Sequence, residues 1–585
     1  MESISRDEIK ATVADLIGIA PQEISDVDDL ITLGLDSIRM MTLAGGWRKR
    51  GSRITFAQLA AEPSVQSWHA LLGEGVAPVA EVGDGVTPID TPDTPEDAVE
   101  DEPFPLATMQ HAYWIGRSED QELGGVAAHL YVEFDGGAID PERLRRAVEQ
   151  LVAAHPMLRT RFLPDGTQQT LTAPERDVFS VVDLRGRADD AIEAALAELR
   201  ERKTHQRLAI EDGQVLDVTL TLRDEENSRL HLDVDMLAGD AMSYRVLVSD
   251  LAALYHGAAQ PELGYTYRRY RTEQRGDESA RERDRQWWSE RLDELPGAPE
   301  LPTVPVSERA EPHRTVRYDY WLEPHAKQQL LAAAHQRGIT PAMAMAAVFA
   351  ETVGGWSAQS RFLLNVPLFH RESVHPDIDR VIGDFTSSIM LDVDLTDQMS
   401  VADRARALQR NMYESGAHSA YPGLNVLRDL GRHRGEPVLA PVVYTSALNL
   451  GELFAKSVMD TFGEPVWIIS QGPQVLLDAQ VTEVRGGLLL NWDVRESAFP
   501  AGMVDTMFAR YTDAVAALCT GDDGWNADAA VRLPASQAEV RRAVNATDGP
   551  VSGRCLHEGF FDFAKTQPGA SAVVWGFGDE DGVWT

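Results

Sequence analysis

One stretch of the chain is unsuited to a packed core, and it divides the residues on either side of it into separate modules. Residues 75–100 read GVAPVAEVGDGVTPIDTPDTPEDAVE, with many Pro, Gly, Asp and Glu residues and no apolar period. This composition predicts a linker whose acidic groups repel one another. At 585 residues the chain is also too long for a single core. We therefore expect a multidomain protein, with a small module before the linker and a larger one after it.

The segment before the linker, residues 1–74, has the pattern of a small all-α domain. In EIKATVADLIGIA the apolar residues Ile9, Val13 and Leu16 recur at helical spacing. Pro63 stands at the start of a further helical segment, PSVQSWHALLGE. The pattern predicts a self-contained helical bundle that the linker tethers to the rest of the chain.

The segment after the linker, residues 101–535, alternates between strand-like and helix-like stretches. HLYVEFDG and SRLHLDVDML have β character, whereas PERLRRAVEQLVAAH has a helical period. A proline-rich break, PGAPELPTVPV at 296–306, interrupts the alternation. We expect an α/β domain of two lobes, about 101–295 and 307–535.

Charge and cysteine content exclude several classes of partner. The chain has 92 acidic and 54 basic residues and a formal net charge of -38, so nucleic acids are not expected partners. Its two cysteines, Cys519 and Cys555, have no Cys or His at ligand spacing, so neither a disulfide nor a metal site is indicated. The polar start, MESISRDEIK, and the lack of an apolar run of about 20 residues predict a cytoplasmic protein that does not enter a membrane.

A serine in the first module has the setting of an attachment point. LITLGLDSIRMM places Ser37 after Gly34, Leu35 and Asp36 and ahead of an amphipathic helix. Exposed amide groups and the helix dipole at such a start favour a phosphodiester. A plain N-cap by Asp36 or Ser37 also explains the pattern.

This segment resembles the carrier domains of nonribosomal peptide synthetases, and GLDSIR is similar to their aryl carrier subtype. The resemblance implies a four-helix fold with 4'-phosphopantetheine bound covalently to Ser37 by a phosphopantetheinyl transferase. It also implies an aryl starter, salicyl or 2,3-dihydroxybenzoyl, which a separate aryl-adenylating enzyme loads in trans.

A second pattern lies where a predicted strand gives way to a predicted helix. Residues 231–243 read HLDVDMLAGDAMS and contain an Asp-x4-Asp-x2-Ser pattern of Asp235, Asp240 and Ser243. Amide-forming condensation domains of the same synthetases carry His-His-x3-Asp-Gly there, and Asp235 and Met236 stand in place of the two histidines. The replacement resembles the heterocyclization domains, which form an amide with Cys, Ser or Thr and then close the side chain onto it with loss of water.

Further blocks of the large domain resemble the heterocyclization family in the family's order. They are FPLATMQHAYWIGR with Gln110 and Tyr113, AAHPMLRTRF, LLNVPLFHR, IGDFTSSIMLDV, PVVYTS and ISQGPQVLLDAQV. The resemblance implies two chloramphenicol-acetyltransferase-like lobes with a tunnel between them, which two carrier-borne substrates enter from opposite sides. Residues 536–585 resemble the start of an adenylation domain, without the glycine-rich phosphate loop of that family.

The resemblance assigns ring closure to three side chains. Asp478 of PQVLLD would move the proton, Thr445 of PVVYTS would orient the reacting oxygen or a water, and Asn365 of LLNVP would support them. A carboxylate in a tunnel suits proton transfer when burial raises its pKa. Without the paired motif, Thr445 is better explained as a half-buried strand hydroxyl.

Asp235 and Asp240 are included in the predicted site with different roles. Asp240 is expected to be mainly architectural and ion-paired with Arg371. Asp235 either holds the loop or hydrogen-bonds the incoming amine. Ser243 is expected to cap the helix that follows it.

Together these patterns predict the initiating part of a siderophore-type nonribosomal peptide synthetase. It would join the aryl group on Ser37 to a Cys, Ser or Thr held by a downstream adenylation and peptidyl carrier module. Cyclodehydration would then give an aryl-thiazoline or aryl-oxazoline. Two alternatives stay open: a domain that forms only the amide, and a carrier joined to a catalytically silent docking platform.

Overall fold

The computed structural model describes most of the chain after the predicted linker and part of the chain before it. The described residues are 4–17, 19–28, 30, 33, 35, 39–40, 43–44, 47, 50, 52, 54, 58–59, 62–73, 102–121, 123–259, 262–273, 277–310, 313–369, 371–448, 450–527, 535–549, 553–577 and 580–585. The predicted linker and Ser37 lie outside the described residues. The chain divides into two compact units, Met1–Val531 and Arg532–Thr585.

Helices and strands alternate along the described residues. The helices are α1 (Arg6–Ile17), α2 (Val65–Gly73), α3 (Thr108–Gly116), α4 (Pro141–Ala154), α5 (Asp189–Thr204), α6 (Ala241–Tyr255), α7 (Tyr267–Glu273), α8 (Glu278–Ser289), α9 (Pro324–Gln336), α10 (Pro341–Gly354), α11 (Val401–Ala417), α12 (Gly423–Arg434), α13 (Lys456–Phe462), α14 (Met503–Cys519), α15 (Asp522–Asn526), α16 (Ala535–Asn545) and α17 (Glu558–Thr566). The strands are β1 (Phe104–Pro105), β2 (His129–Gly137), β3 (Thr160–Phe162), β4 (Thr167–Thr170), β5 (Phe179–Asp183), β6 (Leu216–Leu222), β7 (Asn227–Asp235), β8 (Val316–Leu322), β9 (Arg361–Phe369), β10 (Thr386–Asp394), β11 (Val442–Ser446), β12 (Glu464–Gln471), β13 (Leu477–Val484), β14 (Gly487–Val494), β15 (Val573–Phe577) and β16 (Glu580–Trp584).

The amino-terminal module packs as a small helical domain within the first unit. Helices α1 and α2 contact each other and share a core of buried apolar side chains. Trp68 is fully buried there, edge-to-face against Trp47 at a centroid distance of 5.7 Å. The expected all-α character of this module is confirmed.

The first lobe of the large domain is built on a five-stranded sheet in the order β12-β2-β7-β6-β5. Its central strands pair antiparallel, and β5 runs parallel to β6. Apolar residues on one face of this sheet pack under α4 and α6. Polar residues on the other face contact α5, whose Arg200 donates to Glu133 and whose Lys203 forms an ion pair with Asp217. Because β12 comes from the second half of the chain, the break at 296–306 does not fully separate the lobes.

The second lobe is built on a six-stranded sheet in the order β10-β9-β11-β13-β14-β8. Strand β11 runs parallel to both neighbours, and the other pairs are antiparallel. Apart from Glu351 and Thr352, helix α10 has apolar side chains on all sides, as expected for a helix inside the lobe core. Its start follows the sequence rules, since the hydroxyl of Thr340 accepts from the backbone N–H of Met343 and Pro341 occupies the first turn.

The register of this second sheet aligns polar side chains across it. Asp478 of β13 lies opposite Asp493 of β14, which in turn lies opposite Arg317 of β8. On its other side Asp478 lies opposite Val443 of β11, which pairs with Asn365 of β9. Laterally paired residues project from the same face of a sheet. The sheet therefore presents Arg317, Asp493, Asp478 and Asn365 in one transverse row.

The second unit, Arg532–Thr585, contains α16, α17 and an antiparallel hairpin of β15 and β16. Phe560, Phe561 and Phe563 of α17 are exposed. Across both units, no helix in the described part of the chain is long and apolar enough to cross a membrane. The same residues contain no group of three or more His, Cys, Asp or Glu side chains placed to hold a metal ion.

Candidate functional site

A cavity of about 570 Å³ lies between the two lobes, where the family resemblance implied a tunnel. This volume falls in the range typical of small-molecule sites. Both lobes contribute to its lining, which includes Met109, Tyr113, Leu130, Val234, Met236 and Tyr244 from the first half of the chain and Asn365, Thr386, Asn425, Thr445, Asp478 and Gln480 from the second.

Thr445 and Asp478 meet in the cavity wall. They lie on the neighbouring parallel strands β11 and β13, and the hydroxyl of Thr445 donates to Asp478 Oδ1 at 2.9 Å. The second carboxylate oxygen, Oδ2, accepts from Gln480 Nε2 at 2.7 Å. The structure thus brings the predicted pair together, and the catalytic roles of the two residues stay predictions.

The surroundings of Asp478 favour its protonated form. Loss of hydration raises the pKa of Asp478 to about 7, and the negative charge of Asp493 adds to the rise. Hydrogen bonds from Gln480 and Thr445 and the charge of Arg317 act in the opposite direction. A carboxyl group with a pKa near 7 can both give and take a proton at neutral pH.

Asn365 lies half-buried in the same cavity wall. Its Oδ1 atom is buried and has no hydrogen-bond partner among the residues that the structure describes. A buried amide oxygen without a donor is costly, so such an atom suits contact with a substrate N–H. This placement agrees with the supporting role predicted for Asn365.

Asp235 belongs to a buried ion pair and lies apart from the described side chains that line the cavity. Arg117 NH1 donates to its Oδ2 at 2.6 Å, and the backbone N–H of Leu237 donates to its Oδ1 at 3.1 Å. Burial raises the pKa of Asp235 even beside this arginine. Of the two roles left open for Asp235, these contacts favour holding the loop.

Asp240 links the two lobes. Its Oδ1 caps α6 by accepting from the backbone N–H of Ser243 at 2.7 Å, and Arg371 donates to the same atom at 3.0 Å. The predicted Asp240–Arg371 pair is confirmed. The prediction that Ser243 caps the helix is wrong, because Asp240 already occupies the cap. The hydroxyl of Ser243 instead donates to the carbonyl of Gly383 at 2.8 Å and accepts from Arg371 at 2.9 Å.

Gln110 and Tyr113 lie on α3 in different surroundings. Gln110 Nε2 donates to the carbonyl of Leu237 at 2.6 Å, and its Oε1 accepts from the N–H of Ala107 at 2.8 Å. It therefore fastens the start of α3 to the loop that follows Asp235. Tyr113 lines the cavity, and burial beside several carboxylates raises the pKa of its phenol, which stays protonated.

Several polar residues of the cavity wall were not predicted from the sequence, and those nearest in the sheet to Asp478 are Arg317, Gln480 and Asp493. Gln480 follows Asp478 by two positions on one strand, so the two-residue period of a strand was a usable signal. Arg317 and Asp493 gave no local signal. They join the site only through the pairing of β8, β14 and β13.

Two family models match the chain. Residues 100–526 match the condensation domain, and residues 7–72 match the phosphopantetheine attachment site. Phenyloxazoline synthase MbtB of Mycobacterium tuberculosis is 52% identical over 579 residues, which cover 98% of this chain and 40% of that protein. Pyochelin synthetase PchE of Pseudomonas aeruginosa is 37% identical over 580 residues, which cover 97% of this chain and 39% of that protein. The chain thus spans less than half the length of these two relatives.

Among solved structures, the EpoB cyclization-docking bidomain of a nonribosomal peptide synthetase from Sorangium cellulosum is similar at a TM-score of 0.66 and 33% identity. The match covers 73% of this chain and 87% of that chain. The chain belongs to the condensation-domain family of nonribosomal peptide synthetases, in its cyclization group, with a phosphopantetheine attachment domain ahead of it. The family resemblance and the two-lobed α/β fold expected from it are confirmed.

The attachment domain implies a covalently bound phosphopantetheine. Together with the condensation domain, it implies interaction with a phosphopantetheinyl transferase and with adenylation and carrier domains. The described residues of 7–72 supply a packed helical core that can present such an arm. Ser37 itself lies outside the described residues, so its role as the attachment point stays a prediction.

Proposed function

We propose that this chain carries an aryl group as a phosphopantetheine thioester on Ser37 and transfers it to a carrier-bound Cys, Ser or Thr. The amide is then cyclised with loss of water to an aryl-thiazoline or aryl-oxazoline, as a step in siderophore biosynthesis. The observation that carries the proposal is the Thr445–Asp478 hydrogen bond in the wall of the cavity between the lobes. The printed name of the 52% identical relative, a phenyloxazoline synthase, agrees with an aryl-oxazoline product.

The assignment of segments and partners is part of the same proposal. Residues 1–74 form the aryl carrier domain, 75–100 the linker and 101–535 the heterocyclization domain, and 536–585 resemble the start of an adenylation domain. The aryl group, salicyl or 2,3-dihydroxybenzoyl, is supplied by an aryl-adenylating enzyme in trans. The acceptor amino acid is supplied by downstream adenylation and peptidyl carrier domains.

Amide formation depends mainly on holding the amine of the acceptor against the carbonyl of the aryl thioester. In this step the free Oδ1 of Asn365 accepts from an N–H of the acceptor. The apolar part of the cavity wall, with Leu130, Val234 and Tyr244, excludes water from the thioester.

Ring closure needs a proton donor and a proton acceptor at the same place. The side-chain oxygen or sulfur of the acceptor attacks the carbon of the new amide, and its proton passes to the former carbonyl oxygen. Asp478 in its carboxyl form then donates a proton to this hydroxyl as the C–O bond breaks and water leaves. The resulting carboxylate takes the proton of the ring nitrogen, so that Asp478 returns to its first state. Thr445 holds the carboxyl group in place through Oδ1.

Intact-mass analysis of a reconstituted reaction tests this function. The chain is phosphopantetheinylated, loaded with each aryl acid, and mixed with a carrier that holds Cys, Ser or Thr. The expected product on the acceptor carrier is lighter than the amide by one water. A product that keeps this water would show amide formation alone, and no transfer at all would show a silent docking domain.

Ser37→Ala is expected to abolish loading, because the phosphodiester requires the hydroxyl of that residue. The measurement is the mass increase after incubation with a phosphopantetheinyl transferase. Ser25→Ala, which removes an exposed serine of the same domain, is the matched control and is expected to load fully. Loading of Ser37→Ala would contradict the assignment of the attachment point.

A further inference from the structure

We propose that Gln480 and the buried Arg317–Asp493 pair are positioning residues for ring closure, which hold the carboxyl group of Asp478 against Thr445. This inference rests on the proposed role of Asp478 in proton transfer. It adds to that role an amide group from the same strand, β13, and a charged pair from two further strands, β14 and β8.

The Arg317–Asp493 pair is a buried, bidentate ion pair of the second lobe. Arg317 Nε donates to Asp493 Oδ1 at 2.6 Å, and its NH2 donates to Oδ2 at 2.5 Å. The two side chains are only 4% and 2% exposed. A bidentate pair of this kind has a fixed geometry. Removal of either partner destabilises the folded protein, because it leaves the other charge buried without a partner. Asp493 is therefore a rigidly held neighbour of Asp478.

The register of the sheet puts two carboxylates side by side. Asp478 and Asp493 lie directly opposite each other on antiparallel strands, where like charges destabilise one another. Asp493 is neutralised by Arg317. Among the described residues, Asp478 accepts hydrogen bonds only from the uncharged side chains of Thr445 and Gln480. The repulsion is therefore relieved most readily when Asp478 takes up a proton.

Gln480 bridges the two carboxylates and is held from both ends. Its Nε2 donates to Asp478 Oδ2 at 2.7 Å and lies 3.2 Å from Asp493 Oδ2 and 2.6 Å from the hydroxyl of Ser470. Its Oε1 accepts from Asn491 Nδ2 at 3.1 Å. Since Asp493, ion-paired with Arg317, only accepts hydrogen bonds, the amide turns its NH2 group toward the two acidic side chains, which fixes the orientation of the Gln480 amide. Asp478 is thereby held between Gln480 on one side and Thr445 on the other.

The charges around Asp478 predict how changes in this set alter its titration. The charges of Asp493 on β14 and Arg317 on β8 act on the pKa of Asp478, and Asp478 in turn acts on the phenol of Tyr113 on α3. Asp493 raises the pKa of Asp478 and Arg317 lowers it, whereas Tyr113 is uncharged at neutral pH because burial raises the pKa of its phenol. Removal of Asp493 and removal of Arg317 should therefore move the pKa of Asp478 in opposite directions.

The test is the pH dependence of ring closure in single-turnover reactions of the loaded full chain, with amide formation followed in the same samples. Because the carboxyl form donates the proton, ring closure is expected to slow as pH rises through the pKa of Asp478. Asp493→Asn is expected to move the midpoint of this decline to lower pH by about one unit, and Arg317→Gln to move it to higher pH by about the same amount. The double variant is expected to return the midpoint toward its original position.

Two further variants keep the test informative if loss of one member of the buried pair unfolds the lobe. Gln480→Glu places a third carboxylate between the other two at nearly the same size, and it is expected to move the midpoint to higher pH. Arg432→Gln, which breaks an exposed ion pair of the same lobe with Asp429, is the charge-matched control and is expected to leave the midpoint in place.

The outcomes separate this inference from the proposed function. If Asp478→Ala closes rings at the rate of the unmodified chain, the role of Asp478 is wrong and the positioning set has no target. If Asp478→Ala stops ring closure while Asp493→Asn, Arg317→Gln and Gln480→Glu leave the midpoint unchanged or shift it in one common direction, only the positioning inference is overturned.

Discussion

Asp478→Asn is expected to leave the uncyclised amide as the main product on the acceptor carrier. The substitution keeps the shape of the side chain but removes the group that gives and takes the proton. General acid–base catalysis of this kind contributes about 10²- to 10⁴-fold to a rate, so ring closure should slow by that order while amide formation continues. The ratio of amide to ring, followed by intact mass over time, is the measurement.

The same variant is expected to be at least as stable as the unmodified chain above neutral pH. In the folded state the pKa of Asp478 is raised to about 7 from an ordinary 3.8. At pH values between these two, Asp478 therefore takes up a proton when the protein folds. The contribution of Asp478 to stability is therefore unfavourable, and it becomes more so as pH rises from about 4 to about 7. Asparagine removes this contribution. Thermal unfolding at pH 8 should show no loss of stability in Asp478→Asn.

The matched control for this prediction is Asp319→Asn, which changes an exposed carboxylate on β8 of the same sheet. It is expected to leave the ratio of amide to ring unchanged. If Asp478→Asn instead loses stability and amide formation together, Asp478 is a structural residue and the proton has another route.

The family resemblance implied the two-lobed fold and placed Thr445 and Asp478 in the site, whereas local patterns in the sequence predicted single elements. The capped start of α10 at Thr340 and Pro341 is one such pattern. The motifs that carry Thr445 and Asp478 lie on neighbouring strands, where Thr445 pairs with Gln480 and Val443 pairs with Asp478. The family resemblance also gave the Asp240–Arg371 pair, which links residues far apart in the sequence.

The features that were missed depend on strand order and backbone conformation. Arg317 and Asp493 reach Asp478 only because β8, β14 and β13 are neighbours in the sheet. Asp240 and Ser243 are both good capping residues, and the sequence does not show which of them has the extended backbone of a cap. In the structure this residue is Asp240, with φ -77° and ψ -179°.

Arg117→Met is expected to lower the free energy of unfolding of the two-lobed domain by about 3–5 kcal/mol, since it leaves one charge of a buried pair without its partner. The side chains of Arg117 and Asp235 are 10% and 0% exposed. Arg117 also donates to the carbonyl of Leu208 at 2.7 Å, so the loop before β6 loses a contact as well. Denaturant unfolding, followed by tryptophan fluorescence, is the measurement. Arg185→Met, which breaks an exposed pair with Asp183, is expected to cost little.

The loss in Arg117→Met is expected to grow with pH. Burial already raises the pKa of Asp235 in the folded state, and removal of the arginine raises it further. A group whose pKa is higher in the folded state loses stability as pH rises above its unfolded value. The destabilisation should therefore be larger at pH 8 than at pH 5. An equal loss at both values would show that the lost packing of Arg117, and not the unpaired charge, is responsible.

Addition of Asp235→Asn to Arg117→Met is expected to recover part of the lost stability, because a neutral amide is less costly to bury than an unpaired carboxylate. This double variant also decides between the two roles that the sequence left open for Asp235. A residue that only holds the loop can be replaced in this way without effect on the rate of amide formation. A residue that binds the incoming amine cannot, since amide formation would then fail in a folded protein. The ion pair with Arg117 and the position of Asp235 away from the cavity wall favour the first outcome.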